Sequence, residues 1–485
     1  MPGVTITTAT RTGPTSATVR QSSQAFFCGL AERGPTVSAT LLTGIEDFEL
    51  NYGGYQTYSY LHPTVQTFFE EGGTQCYVGR VVGPAATSGT LTVVSATPDD
   101  ALKFDAVGAG AWSSGLTVLV AAGSAAGTIN VTLALGGVNQ FSTGDAASNA
   151  AVVGKFALSA VASRLVTVTD EGGAIAAAAS ATALSAGGDD RASVTSTHYT
   201  AGLLLFNDAY GTGAVSNPES AATAVYQGLI AHANTYNRVA LLHSAAATSI
   251  ANSIVTARTM ATESHAEHAA YYFPWVYQPT SVEGVSRMIP PIGFAAAARA
   301  RAHNQIGPHH PGAGIISIAR YITAAEVEVD GTNGDLMDVD GANALRVING
   351  TIRVYGARSL SNDSANFRYI TAQDVVNSVV TQANSSLEDL VFAVIDGRSS
   401  LFAQISGRLQ GILEPLRKSG ALYEAFDSTG KRMDWGYSIV CNSGINPVTQ
   451  LATGLVKAKI GMRVSSVGDR IEVDITKSNL TTSVV

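Results

Sequence analysis

Between residues 25 and 82 the apolar positions fall in short blocks separated by polar turns. The pattern predicts a strand from Ala25 to Leu30, a Gly34-Pro35 turn and a second strand around Ala39 to Thr43. A helix follows near Pro63 to Glu71, stops at Gly72-Gly73 and leads into a strand from Cys76 to Val82. Further on, strand and helix patterns alternate. Leu203 to Phe206 is apolar, and Asn217-Pro218-Glu219 reads as an N-cap, a first-position proline and an acidic first turn of a helix to about Thr235. Strand Arg238 to His243, a helix near Ala247 to Ser264 and strand Ala269 to Trp275 complete a set of βαβ units around a mostly parallel sheet.

Two more helices lie toward the C-terminus. Thr371 with Asp374 has capping-box spacing, and Val375, Val376, Val379 and Val380 form an apolar face. Leu401, Phe402, Ile405, Leu409, Ile412 and Leu413 form a second stripe, which Pro415 is expected to kink or end. Residues 84–195 differ in texture: they are rich in Gly, Ala, Ser and Thr, with β-prone runs at Leu91–Val94, Leu116–Ala121, Thr128–Leu135 and Leu165–Thr169. They read as a β-rich inserted domain between Gly83-Pro84 and Gly187-Gly188. Both chain ends alternate with period two, Val4 and Ile6 among threonines, and Ile471, Val473 and Ile475 among Glu472, Asp474 and Thr476. Isolated terminal strands need a partner, either the chain's own sheet or a neighbouring molecule.

The expected fold class is therefore a multidomain α+β or α/β chain with a mixed-sheet α/β core, a β-rich inserted domain and extended N- and C-terminal strand arms. The expected division is an arm at 1–20, a first core part at 21–83, the insertion at 84–195, the α/β core at 196–360, a C-terminal α+β unit at 361–461 and a second arm at 462–485.

Composition narrows the function. The chain has 485 residues, 46% hydrophobic and only 14% charged, which suits a surface covered by neighbours. A net charge of −8 without Lys/Arg-rich runs argues against nucleic-acid binding. The three cysteines, Cys28, Cys76 and Cys441, lack metal-ligand spacing and read as buried small apolar groups. The first residues lack a charged and apolar leader, and the Ala-rich run at 174–184 is too short to span a bilayer; both point to a protein made and assembled in the cytoplasm, without membrane insertion.

Catalytic constellations are missing. No phosphate-binding loop and no nucleophile elbow occurs, and Gly211-Thr-Gly213 is a lone pair of glycines. His265 and His268, beside Glu263 and Glu267, lack a third metal ligand and read as a solvated helix end. His309-His310 sits in a proline loop. Residues 330–341, rich in Asp and Gly, invite a calcium reading, but the twelfth position counted from Asp330 is Gly341 rather than an acidic ligand. A hairpin turn is the alternative. Glu326 and Glu328 alternate along a strand and are expected to face water. No cofactor, no metal and no enzymatic activity is expected.

Several segments together resemble the contractile tail sheath proteins of phages, R-type pyocins and related injection machines. The shared features are Gly29, Gly34-Pro35, Asp47-Phe48, Phe68-Phe69, Gly72-Gly73 and Cys76-Tyr77-Val78. Gly110, Trp112 and Gly115 before a strand, the run AAYYFPWVYQP, and the proline loops at Ile289–Gly293 and Pro311–Gly314 extend the likeness. So do Gly341, Asn343, Arg346, Gly350, Val354-Tyr355, Gly356-Ala357-Arg358, Asp363 and Tyr369-Ile370. Tyr355 stands where the family usually has Trp, and Ala372-Gln373 where basic residues are common.

The resemblance implies a structural subunit that polymerises helically, as stacked hexameric rings, around an inner tail tube protein between a baseplate and a tail terminator. Contraction would proceed by subunit rearrangement, and the setting would be a virion tail or a cytoplasmic injection particle. Inter-subunit strand exchange would fall on Val4, Ile6, Ile471, Val473 and Ile475. The family places the C-terminal unit innermost, which makes Arg408, Arg417 and Lys418 candidates for facing the tube. The competing readings are an α/β ligand-binding protein or enzyme with a Rossmann-like domain, and a surface adhesin.

Overall fold

The computed structural model describes residues 22–94, 100–173, 175, 180–280, 284–470 and 473. The first apolar block forms β1 (Ala25–Gly29), β2 (Thr40–Leu42), α1 (Ile45–Tyr52), α2 (Leu61–Glu70) and β3 (Cys76–Arg80). Gly72, at φ +96°, ends α2 in a backbone conformation that only glycine adopts without strain. Helix α1 has no strong apolar stripe: only Phe48 and Tyr52 are buried, and the Tyr52 hydroxyl donates to the Val78 carbonyl at 2.7 Å.

Residues 84–195 contribute β4 (Thr90–Val94), β5 (Asp100–Ala106), β6 (Leu116–Ala122), β7 (Ile129–Leu135), β8 (Val138–Ser142), α3 (Asn149–Leu158), α4 (Ala162–Leu165), β9 (Val166–Asp170) and β10 (Thr182–Ala183). They make a three-stranded sheet, β4-β5-β9, and a four-stranded sheet, β10-β6-β7-β8. Leu102, Phe104, Leu116, Val131, Leu133 and Phe156 close a core of their own between these sheets and α3. The chain enters and leaves side by side: the Gly83 N–H donates to the Asp189 carbonyl at 2.8 Å, and Thr87 pairs with Gly188.

The α/β block adds α5 (Ser196–Gly202), β11 (Ala214–Ser216), α6 (Thr223–Thr235), β12 (Val239–His243), α7 (Ile250–Met260) and β13 (Ala269–Phe273). A small sheet is made of β14 (Val276–Pro279) and β15 (Ser286–Ile289), which precede α8 (Ile292–Gln305) in the chain, and β16 (Ala324–Ala325), which follows it. Then come α9 (Gly331–Val339), β17 (Ala342–Ile348) and β18 (Thr351–Val354). The main sheet has eight strands in the order β18-β17-β13-β12-β11-β1-β3-β2. All its inner pairings are parallel, and β18 and β2 close the edges antiparallel. Period-two alternation sends Phe27 to one face, with Phe68 and Phe294, and Phe26 and Cys28 to the other, with Phe206, Tyr226 and Tyr271. Helix α8 is buried almost all round, and its alanines let it approach α2 so closely that a Cβ at Gly293 would lie 2.5 Å from the Thr64 carbonyl oxygen.

Last come α10 (Ile370–Leu387), α11 (Ser400–Lys418), the hairpins β19 (Ala425–Phe426) with β20 (Arg432–Asp434) and β21 (Tyr437–Val440) with β22 (Lys459–Met462), and α12 (Val448–Leu451) between the last two strands. Val375, Val379, Leu409, Leu413 and Leu416 form their core, with Tyr437, Ile439, Ile460 and Met462 packed against it. Helix α11 runs through Pro415 to Lys418 instead of ending there.

Several sequence expectations are corrected. Leu203–Leu205 is a turn of 3-10 helix, and the neighbouring strand is β11. Asn217 does not cap α6, which starts at Thr223; its side chain instead accepts from the Glu219 and Ser220 N–H groups in a local turn. The Thr371/Asp374 capping box does not form, because Asp374 turns inward to Arg299. The Asp/Gly-rich stretch is neither a calcium loop nor a hairpin turn but helix α9, capped by Asp330, whose carboxylate accepts from the Asn333 N–H at 2.7 Å. Asp338 and Asp340 are taken by Arg358 and Arg258. His268 is buried rather than solvated, its Nδ1 2.9 Å from the Arg238 carbonyl oxygen. Glu326 is half-buried and accepts from the Ala247 N–H, while Glu328 faces water.

Candidate assembly interface

Charged side chains inside the body organise loops rather than forming a reactive cluster. Arg80, 1% exposed, donates to the carbonyls of Ala31, Glu32 and Gly34, so it shapes the Gly34-Pro35 turn. Arg238 is fully buried and donates to the carbonyls of Phe206, Asn207 and Gly211; burial lowers its pKa to about 9. Among the described residues no group of three or more His, Cys, Asp or Glu side chains is arranged to hold a metal. No described helix is long and apolar enough to cross a membrane.

In a doubly wound sheet a ligand crevice would open at the carboxyl ends of the strands where the winding reverses. Here that point lies between β1 and β11. It is filled by the chain itself: the Glu219 carboxylate accepts from the Leu30, Tyr60 and Leu61 N–H groups at 3.1–3.3 Å and from the Ser59 hydroxyl at 2.7 Å. The chain's own carboxyl group thus occupies the N-terminus of α2, where a phosphate would bind in a nucleotide-binding protein. Burial raises the Glu219 pKa against those hydrogen bonds.

The opposite, amino ends of the strands carry the roots of both terminal segments. Ser22, just before β1, is held from α8: Arg299 Nη1 donates to its carbonyl at 2.6 Å, and His303 Nδ1 lies 2.9 Å from its Oγ. Arg299 also makes a two-pronged pair with Asp374 on α10, their side chains 5% and 2% exposed. Burial pushes the Asp374 carboxyl up, but Arg299 and His303 outweigh it and hold the group below the usual carboxylate range. Five residues earlier, at the start of the same helix, the Tyr369 hydroxyl donates to Asp469 at 2.6 Å. Arg358 Nη2 lies 3.1 Å from Asp469 and also pairs with Asp338. Helix α10 is fixed beneath the sheet by Asn377, whose amide donates to the Arg238 carbonyl at 3.0 Å. Its first turns therefore tie Ser22, the first described residue, and Asp469, close to the last.

The two-stranded sheet β21-β22 pairs with no other strand among the described residues. A groove of about 600 Å³ runs beside it, lined by Phe367 and Val376 on one side and Tyr437, Met462 and Val464 on the other. Exposed apolar side chains gather in this part of the chain: Val391, Phe392, Val394, Tyr423, Phe426, Met433, Trp435 and Val448.

Of the residues singled out by sequence, Val4, Ile6, Ile471 and Ile475 lie outside the described residues. Val473 is 73% exposed and belongs to no strand of this chain. Arg408 is paired with Asp389 and donates to the Ser386 carbonyl, bracing the end of α10. Arg417 bridges Glu414 and Glu424 and lies 4.6 Å from the Trp435 ring centre. Lys418 makes only a long contact, 3.9 Å, with Glu414 and is 69% exposed. The structure thus brings Arg417 and Lys418 together at the end of α11 and leaves Arg408 elsewhere on that helix. Sequence reasoning missed Ser22, Arg299, His303 and Asp469, none of which carries a periodic or motif signal; of the other root contacts, Arg358 and Tyr369 stood in the resembling run, while Asp374 and Asp338 were noticed for a capping box and a calcium loop that do not form.

No protein-family model matches the sequence, and no characterised protein matches it in sequence. The solved structures do match. The chain superimposes on the sheath tail protein of Listeria innocua with a TM-score of 0.63 at 14% identity, over 89% of this chain and 92% of that one. It superimposes with a TM-score of 0.56 on the contracted sheath complex of the extracellular contractile injection system PVC, at 13% identity over 99% of both chains. A chain of the anti-feeding prophage baseplate gives 0.56 at 14% identity, again over 99% of both. The chain has the fold of the sheath proteins of contractile systems.

Proposed function

We propose that this chain is the structural subunit of a contractile sheath and not an enzyme. The observation that carries this reading is a shared fold over essentially the whole length of contractile-sheath chains. The filled switch-point crevice at Glu219 agrees with it.

Subunits form hexameric rings stacked helically around an inner tail tube protein, between a baseplate and a terminator, in a virion tail or an injection particle. Residues 1–20 and 462–485 act as linking arms, the second rooted in the C-terminal unit by Met462 in β22 and by the pairing of Val464 with Leu422. Val4 and Ile6, with Ile471, Val473 and Ile475, add strands to a neighbouring subunit, and the unaccompanied β21-β22 pair beside its groove is the acceptor. A two-stranded sheet is marginal alone and gains backbone hydrogen bonds and register from added strands. Such head-to-tail contacts do not close on themselves and suit an open-ended tube. Residues 84–195, folded about their own core, lie outermost, and the 361–461 unit lies innermost, with Lys418 the least engaged of Arg408, Arg417 and Lys418 and so the one of the three best placed to meet an acidic tube. Contraction is a rigid-body rearrangement from a metastable lattice to a shorter, wider one, driven by interfaces and needing no nucleotide.

Negative-stain electron microscopy of full-length protein beside a version lacking residues 1–12 and 470–485 tests the reading. Striated hollow tubes from the full-length protein alone, on purified inner tube if a template is required, are the expected result. Dispersed particles from both, even with tube protein present, would overturn it.

A further inference from the structure

Strands β17 and β18 close one edge of the eight-stranded sheet, and their antiparallel register sets Arg346 directly opposite Arg353. Like charges so placed cost stability, and both arginines are half-buried. Among the described residues neither makes an ion pair. Arg346 Nε donates to the Val329 carbonyl at 3.2 Å and Arg353 Nε to the Thr351 hydroxyl at 3.0 Å, while the Arg346 guanidinium lies 5.0 Å from the Tyr355 ring centre. Tyr355 is half exposed, as are Leu336 and, more fully, Val339 on α9, the helix whose Gly334 packs against Arg346. Strand addition is blocked here: the Ile352 carbonyl accepts from the Ala319 N–H, and the Ser317 hydroxyl serves both the N–H and the carbonyl of Val354. A neighbour at this edge meets side chains.

The opposite edge of the same sheet is β2, followed by α1, whose eight residues include Glu46, Asp47 and Glu49 and no basic residue. Asp47 is spent on the Thr43 N–H and hydroxyl, with Arg164 in electrostatic reach, and Arg33 donates to the Glu49 carbonyl rather than to its carboxylate. Glu46 is exposed and makes no ion pair among the described residues; Glu49 touches only His62, and its side chain is 54% exposed. Leu41 and Leu50 are exposed beside them.

We propose that the Arg346–Arg353 edge is a docking surface for a second copy of this chain, which presents Glu46 and Glu49 of its α1 to the two guanidiniums. One edge holds two cations without a carboxylate, the other holds two carboxylates without a guanidinium, and each stands among exposed apolar side chains. The width of the sheet keeps them apart within one chain, so only a neighbour can bring them together. Arginine and carboxylate pair through two parallel hydrogen bonds, which fixes orientation as well as attraction. Edge-to-opposite-edge contact is heterologous: each copy keeps one unused edge, so the contact repeats from copy to copy. Its place within a ring rests on the sheath reading; the contact itself does not.

Sedimentation velocity on the full-length protein reads the contact, at about 0.1 M and about 1 M salt, between which the screening length falls from about 10 to about 3 Å. One variant carries Arg346→Glu with Arg353→Glu, the other Glu46→Arg with Glu49→Arg. Wild-type self-association that weakens with salt is expected. Each variant, melting like the wild type, should associate at least about tenfold more weakly, because like charges then face each other. An equimolar mixture should regain the association by strict alternation, and a chain with all four changes should regain it alone. A mixture that stays dispersed overturns the proposal, as does a wild type that associates no more than the variants. Loss confined to the arginine variant would hand those arginines to a different acidic partner and equally overturn it. Should a reversal fail to fold, Arg346→Gln with Arg353→Gln must still abolish the salt dependence. Failure of the sheath reading would appear instead as absence of tubes on purified inner tube and would leave the sedimentation result standing.

Discussion

Arg299 on α8 and Asp374 on α10 meet as a two-pronged ion pair with almost no exposure, and Arg299 spends a further N–H on the Ser22 carbonyl. One guanidinium thereby joins the α/β body, the C-terminal unit and the start of the N-terminal segment. Removing one partner strands a buried charge, whereas removing both does not.

Asp374→Ala is accordingly expected to cost about 3–5 kcal/mol, read by urea denaturation at pH 7.5. The double change Arg299→Met with Asp374→Leu should recover most of that loss. If the single variant melts like the wild type, the pair does not hold these parts together.

Val473 lies in no strand and is largely exposed, so Val473→Pro should change subunit stability by less than about 0.5 kcal/mol. The same change removes a ladder N–H wherever residue 473 pairs with another chain. Loss of long tubes by electron microscopy at unchanged melting temperature is expected; long tubes from the variant would refute its role in linkage.

The ends of the 84–195 segment run side by side, Gly83 to Asp189 at 2.8 Å. Replacing the segment by a short Gly/Ser link should leave a folded body that still forms tubes, of smaller outer diameter. A folded deletion that no longer polymerises would place this unit in the subunit contacts instead.

Arg417 and Lys418 should separate cleanly. Lys418→Glu is expected to leave melting unchanged and to weaken co-sedimentation with the inner tube protein. Arg417→Ala unties Glu414 and Glu424, so it should lower the melting temperature of the C-terminal unit first. Co-sedimentation unaffected by Lys418→Glu would remove the end of α11 from the tube contact.

Acid should weaken the fold as a whole. His62, His243, His268 and His303 are all held below the ordinary imidazole pKa, chiefly by burial. The unfolded chain then binds more protons below about pH 6.5, so stability falls as pH drops through that value. Thermal melts between pH 7.5 and 5.0 should show a steady decline, and a flat profile would contradict neutral buried imidazoles.

The strands β1, β3, β12 and β13 were legible because each is a continuous apolar run bounded by turn residues, as interior parallel strands must be. Helix α1 was not, since Glu46, Asp47 and Glu49 outnumber its two buried side chains. Helix α9 was hidden by glycines and aspartates that look like a loop until Asp330 is seen to cap it. The least legible features were Arg80, Arg238 and Arg299. A guanidinium reads as surface in a sequence, yet here its partners are backbone carbonyls and one carboxylate that only the folded chain brings together. The groove beside β21-β22 was not legible, because it depends on segments nearly a hundred residues apart.

Tyr369 and Asp374 sit about 7–8 Å apart along α10, one touching Asp469 and the other, through Arg299, touching Ser22. A pull on either end of the chain would therefore arrive at the same one and a half turns of helix. Part of that force would pass between them along a path a few side chains long, beside the covalent route from Ser22 into β1 and the eight-stranded sheet. The short stretch around residues 369–374 would then carry a share of any tension between Ser22 and Asp469.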